Sequence, residues 1–404
     1  MDREARLLHK GEATRRASFL ELFFDLVFVF ALTRVVARAV EDLTTDRGVT
    51  DWRTIVAGGA KTALLLLALW AVWQGTAWTT SRYDPYQPVV QIIVIIALGA
   101  SMVMGVAIPR AFGPSGGPAF AAAYVTAQLS RPALLAFALR GSGRQRLKVR
   151  MLITYAVTAV LWILGVVVAQ SWVRWLIWTG ALGIEYLGSR TGWPVPGLGR
   201  SAASKWSIAA EHLAERYQQF FLVALGEAVL VTGLTYSNHA LRPSTMVAFA
   251  VALTTSVLIW RIYFYRAGRI LAEAVSQSRQ PAQIGRSSAD SHLLMMGGVV
   301  TTAIGYELTI AHPTGHAPPV WLVVILGGPA LYMVGRSRFE HEVFARVSPS
   351  RLVAIGVLAA LVPALLWAPT LLVLAAACLV LGGVAVADAR RAWGKPPEPP
   401  APPV

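Results

Sequence analysis

The chain has 404 residues, 55% hydrophobic and 14% charged, with a mean hydropathy of +0.55, whereas a soluble domain of this size carries roughly a quarter charged residues. The net charge of +15 does not point to nucleic acid, because the Lys and Arg lie between long apolar runs and no soluble basic domain exists to hold such an interface. The one cysteine, Cys378, lies within an apolar run and excludes an intramolecular disulfide, a Cys-rich zinc site and a Cys-based redox pair.

Residues 1–18 are polar and basic, with Arg3, Arg6, Lys10, Arg15 and Arg16, and read as a cytoplasmic segment. The apolar stretch that follows is too long for a signal-peptide core and contains two acids, so it reads as a retained first span. About 20 apolar residues cross the hydrocarbon core. By that measure spans are expected at about 19–40, 54–79, 89–109, 118–139, 151–169 and 172–188, which together form a first six-helix half, 19–188. Residues 189–212, rich in Gly, Pro and Ser, read as a cytoplasmic linker. A second half, 213–388, holds expected spans at about 213–235, 244–265, 290–311, 319–335, 352–368 and 370–388, with a polar loop at 266–289. The tail, 389–404, ends in a Pro-rich run and reads as disordered and cytoplasmic.

The fold class that follows is all-α: a polytopic transmembrane helical bundle of about 12 spans with both termini cytoplasmic. Charge supports it. With the N-terminus inside, and with charges near span ends assigned to the adjoining loop (Arg38 and Arg174 outside, Arg216 inside), 26 Lys and Arg fall inside, 6 fall outside and 4 (Arg34, Lys61, Arg131 and Arg261) lie deeper within spans. Dropping one span would invert every later loop and lose that asymmetry.

A 6+6 parallel internal repeat is expected as well. Glu21 to Val36 lies over Glu215 to Leu230, placing Glu21 on Glu215, Phe23 on Tyr217 and Thr33 on Glu227. Downstream, Trp70 falls on Trp260 and Gly105 on Gly305. Two halves with an even number of spans share one orientation, as in several transporter folds. Chance similarity between apolar helices is the bland alternative.

An ionisable group inside a span costs roughly 2.5–3.5 kcal/mol, so each needs a partner or a wet cavity. Glu21 and Asp25 are four residues apart, one above the other on one helix face. Glu215 stands at the cytoplasmic mouth of the seventh span, and Glu227 lies about 18 Å further along, near the midplane. Glu307 lies toward the outer end of the ninth span. These five acids trace an ion or substrate pathway, with Lys61, Arg131 and Arg261 as counter-charges. The alternative for each is helix-to-helix glue, paired with Arg, Lys or backbone. For Glu21 and Glu215 it is strengthened by the favourable field of a helix N-terminus. His312-Pro-Thr-Gly-His316 has two close histidines but no third ligand placed by spacing. No His-Glu-x-x-His and no Gly-rich loop ending in Lys-Ser/Thr occurs, and no metal or cofactor is expected.

Glu21-Leu-Phe-Phe-Asp-Leu-Val-Phe-Val-Phe-Ala resembles the opening signature of the bacterial low temperature requirement protein A family. Glu215-Arg-Tyr with Leu225-Gly-Glu227 resembles its second signature, and Arg82-Tyr-Asp and Ala107-Ile-Pro-Arg-Ala-Phe-Gly fit as well. Gln218-Gln219 is more polar than that pattern. The resemblance spans most of the chain and weakens after the tenth span. It implies a bacterial multi-pass protein of the cell (inner) membrane and supplies neither substrate nor reaction.

The leading functional expectation is a transporter-like permease that couples movement of an unidentified small solute or ion to protons or cations, with Asp25 and Glu227 as the titrating groups. A passive ion channel on the same repeat is the second reading. A membrane-embedded enzyme acting on lipid ranks behind both, because the sequence shows no nucleophile-plus-base arrangement. A scaffold without activity is what remains. The expected partners are the lipid bilayer and an unidentified small solute or ion.

Overall fold

The computed structural model describes Leu7 and residues 16–44, 52–168, 170–201, 209–265, 267–278, 280–396 and 398–402. The N-terminal basic residues before Arg16, linker residues 202–208 and the loop arginines Arg266 and Arg279 lie outside them. Among the described residues the chain forms thirteen α-helices. These are α1 (Phe19–Thr44), α2 (Trp52–Thr80), α3 (Pro88–Ala107), α4 (Gly116–Ala138), α5 (Gln145–Val167), α6 (Ser171–Thr191), α7 (Ala210–Ser237), α8 (Pro243–Phe264), α9 (Ala267–Gln277), α10 (Pro281–Ala311), α11 (Pro319–Phe344), α12 (Pro349–Ala364) and α13 (Thr370–Ala392). Five of these helices open on proline, whose missing N–H and fixed φ suit the first helical position.

Each expected span falls on a helix. Eight helices among the described residues are long and apolar enough to cross a membrane. The others are α1, with its buried acids, α4, α6, the short α12 and the amphipathic α9. The expected polar loop at 266–289 instead contains α9 and the start of α10. Leu271, Ala274 and Val275 make one buried face of α9 at helical spacing, and a segment this short and polar escapes any hydropathy count. Helix α13 continues past the expected boundary to Ala392, and the tail residue Glu398 is ion-paired with Arg346.

The helices distribute over two compact units, residues 1–35 with 59–216 and residues 36–58 with 217–404. In the first, α4 packs against α3 and α5, and α5 against α6. Helix α5 shows how such a unit meets lipid. Ile153, Val157, Val160, Leu164 and Val167 form an exposed apolar stripe, while Thr158, Ala159 and Trp162 are buried behind it. Trp162 packs on Tyr124 and Trp178 with ring centroids 4.3 and 4.8 Å away. Trp178 needs Gly165 opposite it, because a Cβ there would lie 2.4 Å from the indole nitrogen. Arg174, counted among the outside charges by sequence, is buried. It donates to the carbonyls of Gly165 (2.8 Å), Val166 and Val168 (3.2 Å each), closing the open C-terminus of α5.

In the second unit α10 and α11 lie against each other through small residues. A Cβ on Gly298 would fall 2.4 Å from the Tyr332 amide nitrogen, and one on Gly328 would fall 2.6 Å from the Thr302 amide nitrogen. Such backbone-to-backbone approach is how helices gain dispersion contacts where lipid removes the hydrophobic drive to associate. Beside them, Tyr263 stacks on Phe221 at 3.8 Å and hydrogen-bonds His292 Nε2 at 2.8 Å.

Candidate functional site

Helix α1 begins with a reciprocal cap that its sequence encodes. Ser18 and Glu21 are spaced as a capping box: the Ser18 amide and hydroxyl donate to Glu21 Oε2 at 2.8 and 2.9 Å, and the Glu21 amide donates to Ser18 Oγ at 3.4 Å. That cap fixes Glu21 at the first turn and Asp25 one turn later on the same face. On α7 His212 and Arg216 are also four residues apart.

The two pairs meet as a two-rung ladder. In the first rung His212 Nε2 lies 3.3 Å from Glu21 Oε2. In the second, Arg216 gives Nη1 and Nη2 to the two oxygens of Asp25, 2.7 Å each, a fork-to-fork pair. Arg216 Nε lies 3.5 Å from Glu21 Oε1, which joins the rungs. Trp73 Nε1 donates to Asp25 Oδ1 at 2.8 Å, and the Arg216 guanidinium lies 5.9 Å from the Trp73 ring centroid. His212 Nδ1 reaches Ser81 Oγ at 2.9 Å. Glu21, His212 and Arg216 are fully buried and Asp25 is 1% exposed. Low partners meet low partners and high meet high, so the first turns of α1 and α7 run side by side in the same direction. Glu215, beside this ladder in sequence, accepts from the Ala17 amide at 3.1 Å and is half-buried.

Glu227 is the opposite case. It is fully buried on α7, and neither carboxylate oxygen has a hydrogen-bond partner among the described residues. Its charged neighbour is the half-buried Glu307, which in turn feels His239.

The expected counter-charges are engaged elsewhere. Arg131 donates to Gln128 Oε1 and Tyr155 Oη, 3.0 Å each. It is linked to Glu185 through Gln128 and Tyr124, and a Cβ on Gly75 would lie 1.6 Å from its Nη1. Lys61 Nζ lies 5.6 Å from the Phe112 ring centroid, and the Arg261 guanidinium lies 4.1 Å from that of Tyr265. Glu21 and Asp25 take Arg216 and His212 instead, neither of them foreseen as a counter-charge. Arg216 stands inside the quoted Glu215-Arg-Tyr motif, and its place four residues after His212, the same spacing as Glu21 and Asp25, was the available signal.

Residues 16–386 match the family described as bacterial low temperature requirement A protein (LtrA). The chain belongs to this family. It is also 32% identical, over 83% of its own length and 79% of the relative's, to an uncharacterized protein of Rhizobium meliloti (strain 1021). No solved structure matches it at a significant level. This LtrA-family chain is a multi-pass membrane protein whose helices meet a lipid bilayer. Both halves of the ladder lie within the matched residues, Glu21 and Asp25 at one end and His212 and Arg216 in the middle. Chemically, the ladder of this LtrA-family chain can pass a proton along Ser81–His212–Glu21, while Asp25 is held by Arg216.

Proposed function

We propose that this LtrA-family protein is a transporter-like permease in which Glu227 is the site of proton or cation coupling. The observation behind this reading is that Glu227 is fully buried, with no hydrogen-bond partner for either oxygen among the described residues and a second carboxyl, Glu307, as neighbour. A bare ionised carboxylate is among the costliest groups to bury, so this position favours a proton or a cation. Asp25, by contrast, is held by Arg216 and Trp73 and would carry a proton only by leaving them. Its role in this reading is to hold α1 against the start of α7, with Glu21 and Glu215 at the entrance. Twelve spans, a 6+6 parallel repeat, cytoplasmic termini and an inner-membrane location belong to the same proposal; the helix at every expected span supports it.

The test is proton or cation flux into proteoliposomes under an imposed potential. Wild-type flux abolished by Glu227→Gln, with the protein still folded, supports the reading. Flux that Glu227→Gln leaves unchanged overturns it. Cysteine-accessibility mapping of residues 140–150 and 239–242 tests the topology: labelling from the cytoplasm only at the first and from outside only at the second is the expected result.

One geometry favours a second reading, an enzyme acting on lipid. Ser81, His212 and Glu21 form a hydroxyl–imidazole–carboxylate chain that spacing in the sequence did not reveal. Ser81 is fully buried, which favours a proton relay over a nucleophile. Labelling of Ser81 by a fluorophosphonate, lost in Ser81→Ala, would reverse that preference.

A further inference from the structure

Where α11, α12 and α13 converge in the second unit, a pocket is lined by four arginines, Arg336, Arg346, Arg351 and Arg391, against three carboxylates, Glu340, Asp388 and Glu398. Two of those carboxylates belong to the helices. Arg351 grips Asp388 with both prongs, at 2.6 and 2.7 Å, and lies 3.5 Å from Glu340. The third, Glu398, comes from the Pro-rich tail and pairs with Arg346. Without it the pocket holds four arginines against two acids. Arg336 is 2% exposed and donates to the carbonyls of Ile262 and Tyr265, yet its Nη1 meets no acceptor among the described residues. Ser348 adds a hydroxyl that Arg391 and Glu340 both reach.

We propose that this pocket binds a phosphate group, and that the tail carboxylate of Glu398 occupies it as an internal competitor. A phosphate offers more acceptor oxygens than a carboxylate and suits several guanidinium forks at once. The excess positive charge left when the tail departs matches a phosphate dianion. The tail contact is built to exchange. Arg346 holds both Glu398 oxygens, through Nε at 2.9 Å and through Nη2, but the two side chains are 39% and 31% exposed, so solvent and salt screen the pair and a buried anion can compete with it. Among the described residues, one backbone bond, Ala401 N–H to the Val343 carbonyl, holds the tail beyond it. Its prolines keep it extended, so little chain entropy is lost on docking. The phosphate can be free or the headgroup of a lipid.

The experiment uses the full-length protein in phosphatidylcholine nanodiscs. Inorganic phosphate is titrated at ionic strength held constant with chloride, and binding is read by calorimetry and by thermal shift. Wild type is set beside Glu398→Gln, Arg391→Gln and a chain ending at Lys395. The expected result is that Glu398→Gln and the shortened chain bind about fivefold more tightly than wild type, because a competitor has gone. Arg391→Gln binds more weakly than wild type. In a second arm phosphatidic acid is mixed into the nanodiscs and its retention is read by native mass spectrometry. Retention of phosphatidic acid without response to inorganic phosphate supports the site and assigns it to a lipid headgroup; response to both supports it with free phosphate as a ligand. No response to either, or a response that chloride alone reproduces, overturns the site. Equal affinity in wild type, Glu398→Gln and the shortened chain overturns the competition.

Discussion

Arg216 holds Asp25 by both prongs of its guanidinium, 2.7 Å at each end, across 191 positions of sequence. Because both side chains are buried, neither can be relieved by water if its partner is removed. Arg216→Gln is expected to lower stability by about 3–5 kcal/mol. Replacing the pair together, Asp25→Leu with Arg216→Met, should recover most of that loss, since no charge is then stranded. Unfolding in detergent, followed as a double-mutant cycle, measures both. A double variant no more stable than the single one would mean that the pair is not what holds the two helix starts together.

The cap of α1 predicts a smaller effect. Ser18→Ala removes the hydroxyl that serves Glu21 and should cost about 1 kcal/mol, while Ser18→Thr should keep nearly all of it. Melting temperatures of the two variants side by side decide the matter; equal values would mean that the box contributes nothing.

Two adjacent glycines on α10 separate close packing from mere presence at an interface. A Cβ at Gly298 meets Tyr332 backbone atoms at 2.4 and 2.7 Å, whereas one at Gly297 meets only the Leu331 methyl Cδ2 at 3.4 Å. Gly298→Ala is expected to destabilise by about 1–3 kcal/mol through forced separation of the helices. Gly297→Ala should be near neutral or slightly stabilising, as alanine is the better helix former. Thermal unfolding of both variants measures the difference.

Helix α9 can be tested through its faces. Leu271 is 1% exposed and Glu273 is exposed. Leu271→Ala should lower stability by about 2–4 kcal/mol, and Glu273→Ala by less than about 0.5 kcal/mol. Were the segment a solvated loop, the two would be alike.

Much of the helix layout was legible in the sequence. Long apolar runs must satisfy their backbone internally in lipid, so hydropathy alone locates helices, and proline marks where several begin. The capping box at Ser18 and Glu21 was equally present and local, though it was not read. Helix α9 was not legible to a hydropathy count because its apolar face is only a few residues wide.

The site divides along the same line. The sequence by itself determined that Glu21 and Asp25 share a face, that Glu227 lies deep within an apolar run, and that the chain resembles the family to which it belongs. Only the tertiary structure decided that Asp25 is answered by Arg216 and Glu21 by His212, that Arg131 turns to Tyr155, and that Glu227 has no hydrogen-bond partner among the described residues. The physical reason is range. Helix position and facing follow from periodicity over a few turns, but a partner almost two hundred residues away is chosen by which helix starts pack together. Apolar faces that tolerate many neighbours do not specify that choice.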